Sequence, residues 1–167
     1  MLHIQQYSSP CGLLTVGSYE GRLILCDWGL RPVVQQRLQR MLHAQFVQES
    51  DEVTREACRQ LDEYFACRRQ VFDMPLRFFG TDFQLRVWNA LLEIPYGTTV
   101  SYTGQALRLG CPEAVRAVAG ANRANAISIF VPCHRVIGSD GSLTGYGGGM
   151  EAKRYLLALE KKNKEKI

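Results

Sequence analysis

The stretch "FVPCHRVIG" sets a thiol, Cys133, beside an imidazole, His134. A cysteine attacks carbon as its thiolate, and a nearby histidine is the usual means of taking the proton. The histidine in turn needs an acceptor to orient it. Glu160 is a candidate, because in "MEAKRYLLALE" it follows Leu156 and Leu157 by four and three positions, on the apolar stripe of a helix. A carboxylate on such a stripe wants a partner; the other reading is a solvated glutamate pairing with the lysines that follow. Cys133 has three further readings. It could be a small hydrophobe, the commonest fate of a buried cysteine. It could ligate zinc, which takes about four ligands, but His3, His43 and His134 are scattered and there is no CxxC or HxxxH pair. It could serve a cysteine hydrolase, which needs an oxyanion hole and usually a histidine distant in sequence.

Two neighbouring segments carry further chemistry. In "GSDGSLTGYGGGM", Tyr146 stands among Gly145, Gly147, Gly148 and Gly149. Such a loop lets backbone close over a flat ligand while the ring stacks on it; the alternative is a flexible connector. In "CPEAVRAVAGANRAN", Ala117, Gly120, Ala121 and Ala124 form a stripe of very small residues bordered by Arg116 and Arg123. Small residues permit close approach of a backbone, and arginines suit phosphates, as in a helix laid into a nucleic-acid groove. Tight packing against another helix would give the same stripe.

The elements that position these residues follow from periodicity. "AISIFVP" is nearly continuous, apolar and rich in β-branched residues, which predicts a buried strand delivering Cys133 to its end, with Pro132 closing the ladder. Adjacent side chains on a strand point to opposite faces, so Cys133 and His134 cooperate only through a turn or a bridging water. Thr81 or Asp82 caps a predicted helix "FQLRVWNALLEI", with Phe83, Val87, Trp88 and Leu91 on one face. "VSYTGQALRLG" predicts a short helix stopped by Gly110, and Pro112 and Glu113 mark the start of the next. Two short helices around a glycine turn make a helix-turn-helix pattern.

The first part of the chain has a different texture. "GLLTVGS" and "GRLILCDW" flank "YEG", a hairpin around Gly21. Helical spacing runs over residues 33–48, through Val34, Leu38, Met41, Leu42 and Phe46, and over 54–67, through Ala57, Leu61, Tyr64 and Phe65. "FDMPLRFFGTDF", with Pro75 and Gly80, reads as the linker between domains at 1–79 and 80–167.

Bulk properties bound the function. The 167 residues are 46% hydrophobic, enough for a core, and carry a formal net charge of +4. Residues 1–79 hold nine Lys/Arg against nine Asp/Glu, and residues 80–167 hold eleven against seven, much of the excess in "EKKNKEKI". A basic second half fits a nucleic-acid partner. No apolar run approaches the roughly 20 residues of a membrane helix. "MLHIQQYSSP" has no signal-peptide pattern, so the six cysteines read as reduced thiols of a cytoplasmic protein.

The quoted motifs resemble a known family. "IFVPCHRVIGSDGSLTGYGGGMEAKRYLLALE", with its core "PCHRV", resembles the active-site region of the O6-alkylguanine-DNA alkyltransferases, the methylated-DNA–protein-cysteine methyltransferases. The likeness continues through "RAVAGANRANAISI", "GTTVSYTGQAL" and "FQLRVWNAL", covering about residues 80 to 162. The first half is similar to the family's variable N-terminal domain only loosely, through "SSPCGLLTVGSYEGRLILCDW" and a helix ending near "EYF". The resemblance implies an α+β fold: a ribonuclease-H-like α/β domain, then a winged-helix-like helix-turn-helix domain carrying the cysteine. It implies that Cys133 accepts the alkyl group, that His134 is its base through a bridging water, that Glu160 orients the imidazole and that Asn125 braces the turn. It makes Arg116 the finger inserted where the damaged nucleotide is flipped out, and Tyr102 the residue that rotates the backbone phosphate and borders the pocket. Tyr146 would stack on guanine, Gly147 and Gly148 would contact its O6 side, and Thr103, Arg123 and Ser139 would face DNA. The implied partner is double-stranded DNA bearing O6-alkylguanine, bound through the minor groove by a monomer, with no cofactor and no metal. Ala119 and Ala126 depart from the glycine and proline common in the family. Cys133 itself excludes the alkyltransferase-like proteins that lack the acceptor.

A thioether product is inert and nothing in the sequence regenerates the thiol, which implies one turnover per molecule. Two other readings make different demands. A regulator without chemistry would need base-reading side chains that a helix of Ala and Gly lacks, and a hydrolase would turn over repeatedly.

Overall fold

Leu2–Ser9 (β1), Gly12–Tyr19 (β2) and Arg22–Trp28 (β3) form an antiparallel meander in the computed structural model, which describes residues 1–143 and 145–165. Thr144 of the glycine–tyrosine loop, and Lys166 and Ile167 of the basic tail, lie outside the described residues. The β2–β3 turn rests on Glu20 and Gly21, both at positive φ (49° and 77°). That geometry matches the right-handed twist of the flanking strands.

Pro32–Leu42 (α1) follows and ends at His43, which is left-handed at φ 50°. The helix therefore stops short of the predicted residue 48. Phe46–Val47 (β4) instead runs parallel to β1, Leu2 opposite Phe46 and His3 opposite Val47. Pairing with a strand edge outweighs the helical spacing that Phe46 contributed. The sheet order is β3-β2-β1-β4. Glu52–Phe65 (α2) opens with a capping box between Asp51 and Thr54 and lays Ala57, Leu61 and Tyr64 in the core with Leu2, Leu14, Val16, Leu25, Val34 and Leu38.

The chain divides into two compact units, Met1–Phe79 and Gly80–Ile167. The second begins with Asp82–Leu91 (α3), whose Thr81 cap and Gln84 bond reciprocally. Val87, Trp88 and Leu91 are buried, and Phe83 is half-buried. Val100–Ser101 (β5) leads into Tyr102–Arg108 (α4), capped by Ser101; Gly110 turns the chain at φ 77°. Val115–Arg123 (α5) follows, and then Val136–Ile137 (β6), parallel to β5, and Met150–Lys164 (α6).

Two expectations fail here. Pro112 does not open α5: residues 112–113 form a turn, and the helix starts at Val115 after Ala114, which offers no side-chain cap. Nor is 127–131 a strand. Ile129 takes φ 75°, Phe130 N–H donates to Ser128 O at 2.9 Å and Val131 N–H to Ile127 O at 3.0 Å, folding the run into a tight buried turn. A short apolar run reports burial, and burial alone does not choose between strand and turn. The fold is mixed α+β.

Candidate active site

Cys133 opens a single 3₁₀ turn, Cys133–Arg135, at the exit of this buried turn. Asn125 holds the approach with three bonds. Its Nδ2 donates to Val131 O at 3.0 Å and to Cys133 Sγ at 3.2 Å, and its Oδ1 accepts from Ile127 N–H at 2.9 Å. An amide N–H aimed at sulfur favours the thiolate over the thiol. The sulfur is 6% exposed at the residue level, so a substrate must come to it.

His134 is fully buried, and its Nε2 lies 2.7 Å from Glu160 Oε2. A carboxylate there holds the proton on Nε2, which leaves Nδ1 as the basic nitrogen. That Nδ1 is buried without a hydrogen-bond partner among the described residues. Burial lowers the imidazole's affinity for a second proton, against the opposing pull of Glu160. Burial also works to raise the Glu160 carboxyl, but His134 and Arg135 outweigh it and hold the group well below the carboxylate range. Arg135 clamps both oxygens, Nε to Oε1 at 2.9 Å and its terminal nitrogen to Oε2 at 3.1 Å, and Gly97 N–H donates to Oε1 at 3.2 Å. Glu160 is thus a buried, fully bonded carboxylate, not a solvated partner of the following lysines.

Tyr102, in the first turn of α4, and Tyr146 share a third residue. Lys153, with no exposed surface, points its ammonium at the Tyr102 hydroxyl from 3.5 Å, and lies 5.6 Å and 6.0 Å from the Tyr102 and Tyr146 ring centres. Burial pulls the Lys153 ammonium down, and the charge of Cys133 partly restores it. Burial, then Cys133, pushes the Tyr102 phenol up, against Arg123. Arg123 and the Tyr102 hydroxyl both border Gly145, where an added Cβ would sit 3.3 Å and 3.4 Å from them at φ 72°. Tyr102, Tyr146, Arg123 and Lys153 therefore form one cluster around Gly145, and the charge of Cys133 acts on Tyr102 and Lys153 within it. Gly147 and Gly148 are half-exposed beside Tyr146, and Thr103 Oγ1 lies 3.1 Å from Ser139 Oγ.

Arg116 and Arg123 are both exposed on α5, about 20° apart around the axis by helical geometry. Ala117 and Gly120 share that outer face, whereas Ala121, predicted with them, is buried on the opposite side with Val118. A Cβ built on Gly120 meets nothing within 4 Å, so packing within the molecule does not demand glycine there.

Sequence reasoning missed Lys153 and Arg135. The signal for Lys153 was present: it lies seven residues before Glu160 and three before Leu156, on the stripe that α6 buries. Arg135 had no periodic signal, because a 3₁₀ turn of three residues has none. Among the described residues no group of three or more Cys, His, Asp or Glu could hold a metal ion, and no helix is long and apolar enough to cross a membrane.

Comparisons with known proteins concentrate on this region. The model of the 6-O-methylguanine DNA methyltransferase DNA-binding domain matches residues 82–162. A methylated-DNA–protein-cysteine methyltransferase of Methanosarcina barkeri is 53% identical over 115 residues, 69% of this chain and 73% of that one. Another, from Mycobacterium bovis, is 59% identical over 105 residues, 63% of this chain and 64% of that one. The crystal structure of Mycobacterium tuberculosis OGT in complex with DNA is similar at a TM-score of 0.85 and 43% identity, over 96% of this chain and 94% of that one.

Proposed function

Because the chain belongs to the methylated-DNA–protein-cysteine methyltransferase family, we propose that it repairs duplex DNA by direct reversal, moving the alkyl group of O6-alkylguanine, and of O4-methylthymine, onto its own Cys133. The observation that carries this reading is the buried sequence Asn125–Cys133, His134–Glu160, with His134 Nδ1 left as an acceptor.

The chemistry balances without a cofactor. The Cys133 proton passes to His134 Nδ1 through a water, and Glu160 stabilises the imidazolium. Sγ attacks the alkyl carbon in line; an S–C bond forms as the C–O bond breaks, and the electron pair leaves with O6. The purine anion takes a proton from the Tyr102 hydroxyl, to which Lys153 donates in turn. The thioether has no route back, so each molecule acts once.

A base in the stack cannot reach a sulfur that is 6% exposed, so the nucleotide is flipped out, at an expense of a few kcal/mol of unstacking. Arg116 entering the vacated stack, and contacts of Arg123, Thr103 and Ser139 with the backbone, offset it. The bare outer face of α5 suits the minor groove. Tyr146 stacks on the base beside Gly147 and Gly148. We read residues 1–79 as ribonuclease-H-like, supported by the β3-β2-β1-β4 order with β4 parallel to β1. Residues 80–167 read as a winged-helix-like unit that binds DNA and accepts the alkyl group, built on α3–α5 and the β5–β6 pair. The protein acts as a monomer, in the cytoplasm, the compartment that six free thiols suit.

The test is incubation with duplex DNA bearing labelled O6-methylguanine. Label should appear on the protein in no more than one equivalent, and Cys133→Ala should abolish it while retaining DNA affinity. No transfer to the intact protein, or repeated turnover, would reject the reading.

A further inference from the structure

Between α4 and α5 two carboxamides are buried face to face, each 3% exposed. Asn122 Nδ2 donates to Gln105 Oε1 at 2.8 Å, and Gln105 Nε2 donates to Asn122 Oδ1 at 3.2 Å. The two side chains bond to each other, and Asn122 meets the Cys133 site through its backbone carbonyl, the acceptor of Asn125 N–H at 3.2 Å; one-dimensional spacing gives no sign of the pair. One position earlier on the same helix, the Trp88 indole of α3 donates to Ala121 O at 2.8 Å. Two other carbonyls at this end of α5 close locally, Gly120 O with Ala124 N–H and Asn122 O with Asn125 N–H. The indole thus caps a carbonyl that the helix end would leave unpaired.

We propose that the Gln105–Asn122 pair, helped by the Trp88 indole, is a positioning lock that fixes the rotation and register of α5, so that Arg116 and Arg123 meet damaged DNA in the productive orientation. The proposal rests on the reading of α5 as the DNA-contacting helix. The reasoning is geometric. The rest of the buried face of α5 is Val118 and Ala121, small apolar surface with little power to specify rotation. A reciprocal amide pair keeps both of its N–H···O bonds only while the two side chains face each other at hydrogen-bonding distance. A slip leaves buried amide groups unpaired, which costs about 1–3 kcal/mol for each. Asn122 is about 120° around the helix from Arg116 and about 100° from Arg123, so a turn of the helix that breaks the pair swings both arginines by the same angle. Arg123 also borders Tyr102 and Gly145, which carries such a rotation to the pocket rim. A buried polar pair that sets register more than it adds stability has precedent in coiled coils.

The decisive variant is Gln105→Leu with Asn122→Leu, which replaces both amides by apolar groups of similar volume and leaves no orphan. The swap Gln105→Asn with Asn122→Gln keeps both bonds. Each is compared with the parent by thermal unfolding, by single-turnover transfer from O6-methylguanine in duplex DNA across DNA concentrations, and by transfer from O6-methylguanine supplied as the free nucleobase. The leucine pair should unfold no earlier than the parent and react with the free base at the parent rate. It should need at least about tenfold more duplex for half-maximal rate, and the swap should restore most of that loss.

Parent-like reaction of the leucine pair with duplex would overturn the lock. So would an equal loss on free base and duplex, which would make the pair a support of the pocket, or a swap that folds and is as defective on duplex as the leucine pair. A parent protein that transfers from neither substrate would instead reject the alkyl-transfer reading on which the proposal rests.

Discussion

The two units bury polar groups for different purposes. In the first, four of them fasten an end or a turn. Thr15 bonds to Gly29 O, Ser18 to the α2 cap Asp51, and Asp27 to the backbone and guanidinium of Arg31. Gln60 pairs with the backbone of Asp73 in both directions, at 2.9 Å each. Around these the interior is mostly aliphatic, with Tyr64 and Cys26 among it. In the second unit the buried polar groups bond to one another: Asn125 holds Cys133, His134 and Arg135 share Glu160, Lys153 faces Tyr102, and Gln105 pairs with Asn122. Burying charge is expensive unless it is paired, so the second unit gives up stability that the first retains. The first unit is organised as a fold, the second as a site.

That contrast can be broken by substitutions paired across it. Glu160→Gln should slow transfer on the order of a hundredfold or more, as expected for loss of the group orienting a general base. It should also destabilise the second unit, since Arg135 is left buried without its charge partner; single-turnover kinetics and thermal unfolding read the two effects separately. Leu61→Ala, deep in the first unit, should lower unfolding stability by about 2–5 kcal/mol and leave the transfer rate per folded molecule unchanged. A rate loss there would erase the distinction between fold and site.

Acid should act on the second unit. His134 is the only fully buried histidine among the described residues, and its pKa is held below the 6.5 of a free imidazole. In mild acid the unfolded chain therefore binds a proton that the native site refuses, and stability falls as the pH drops through that interval. Glu160, with its lowered pKa, adds a further loss that begins in the ordinary carboxylate range and grows as the pH falls below it. Hydrogen exchange measured across mildly acid pH should show protection fading around Cys133–Glu160 before the first unit's strands; uniform fading would refute this. The smallest effect concerns Gly120. Replacing it with alanine should stabilise α5 by about 1 kcal/mol, because nothing occupies the space. It should weaken duplex binding, as titration of a labelled duplex would show, if α5 approaches DNA as closely as its bare face suggests.

The sequence made some of this legible and concealed the rest for identifiable reasons. The β2–β3 hairpin shows in its turn signal, and helices α2 and α3 show in their spacing, with the Thr81 cap marking α3, since each helix buries one face. Glu160 was visible as a carboxylate on an apolar stripe, and Lys153 could have been by the same test. The turn at 127–131 could not, because its burial comes from surrounding elements and its backbone from bonds to Asn125. Helix α1 was overread because Phe46 fits helical spacing while serving a strand edge. The Gln105–Asn122 pair joins residues on two helices, and one-dimensional spacing carries no information about such a meeting.

Ile129, inside that turn, holds a left-handed backbone at φ 75° while 1% exposed. A β-branched residue does not settle there by itself; the conformation persists only when its surroundings impose it. The turn that presents Cys133 therefore depends on the elements packed around it and has no stability of its own. The thiol's placement is thus a property of the whole second unit: loosening the packing around Ile129 leaves the cysteine in the chain but not where Asn125 can hold it.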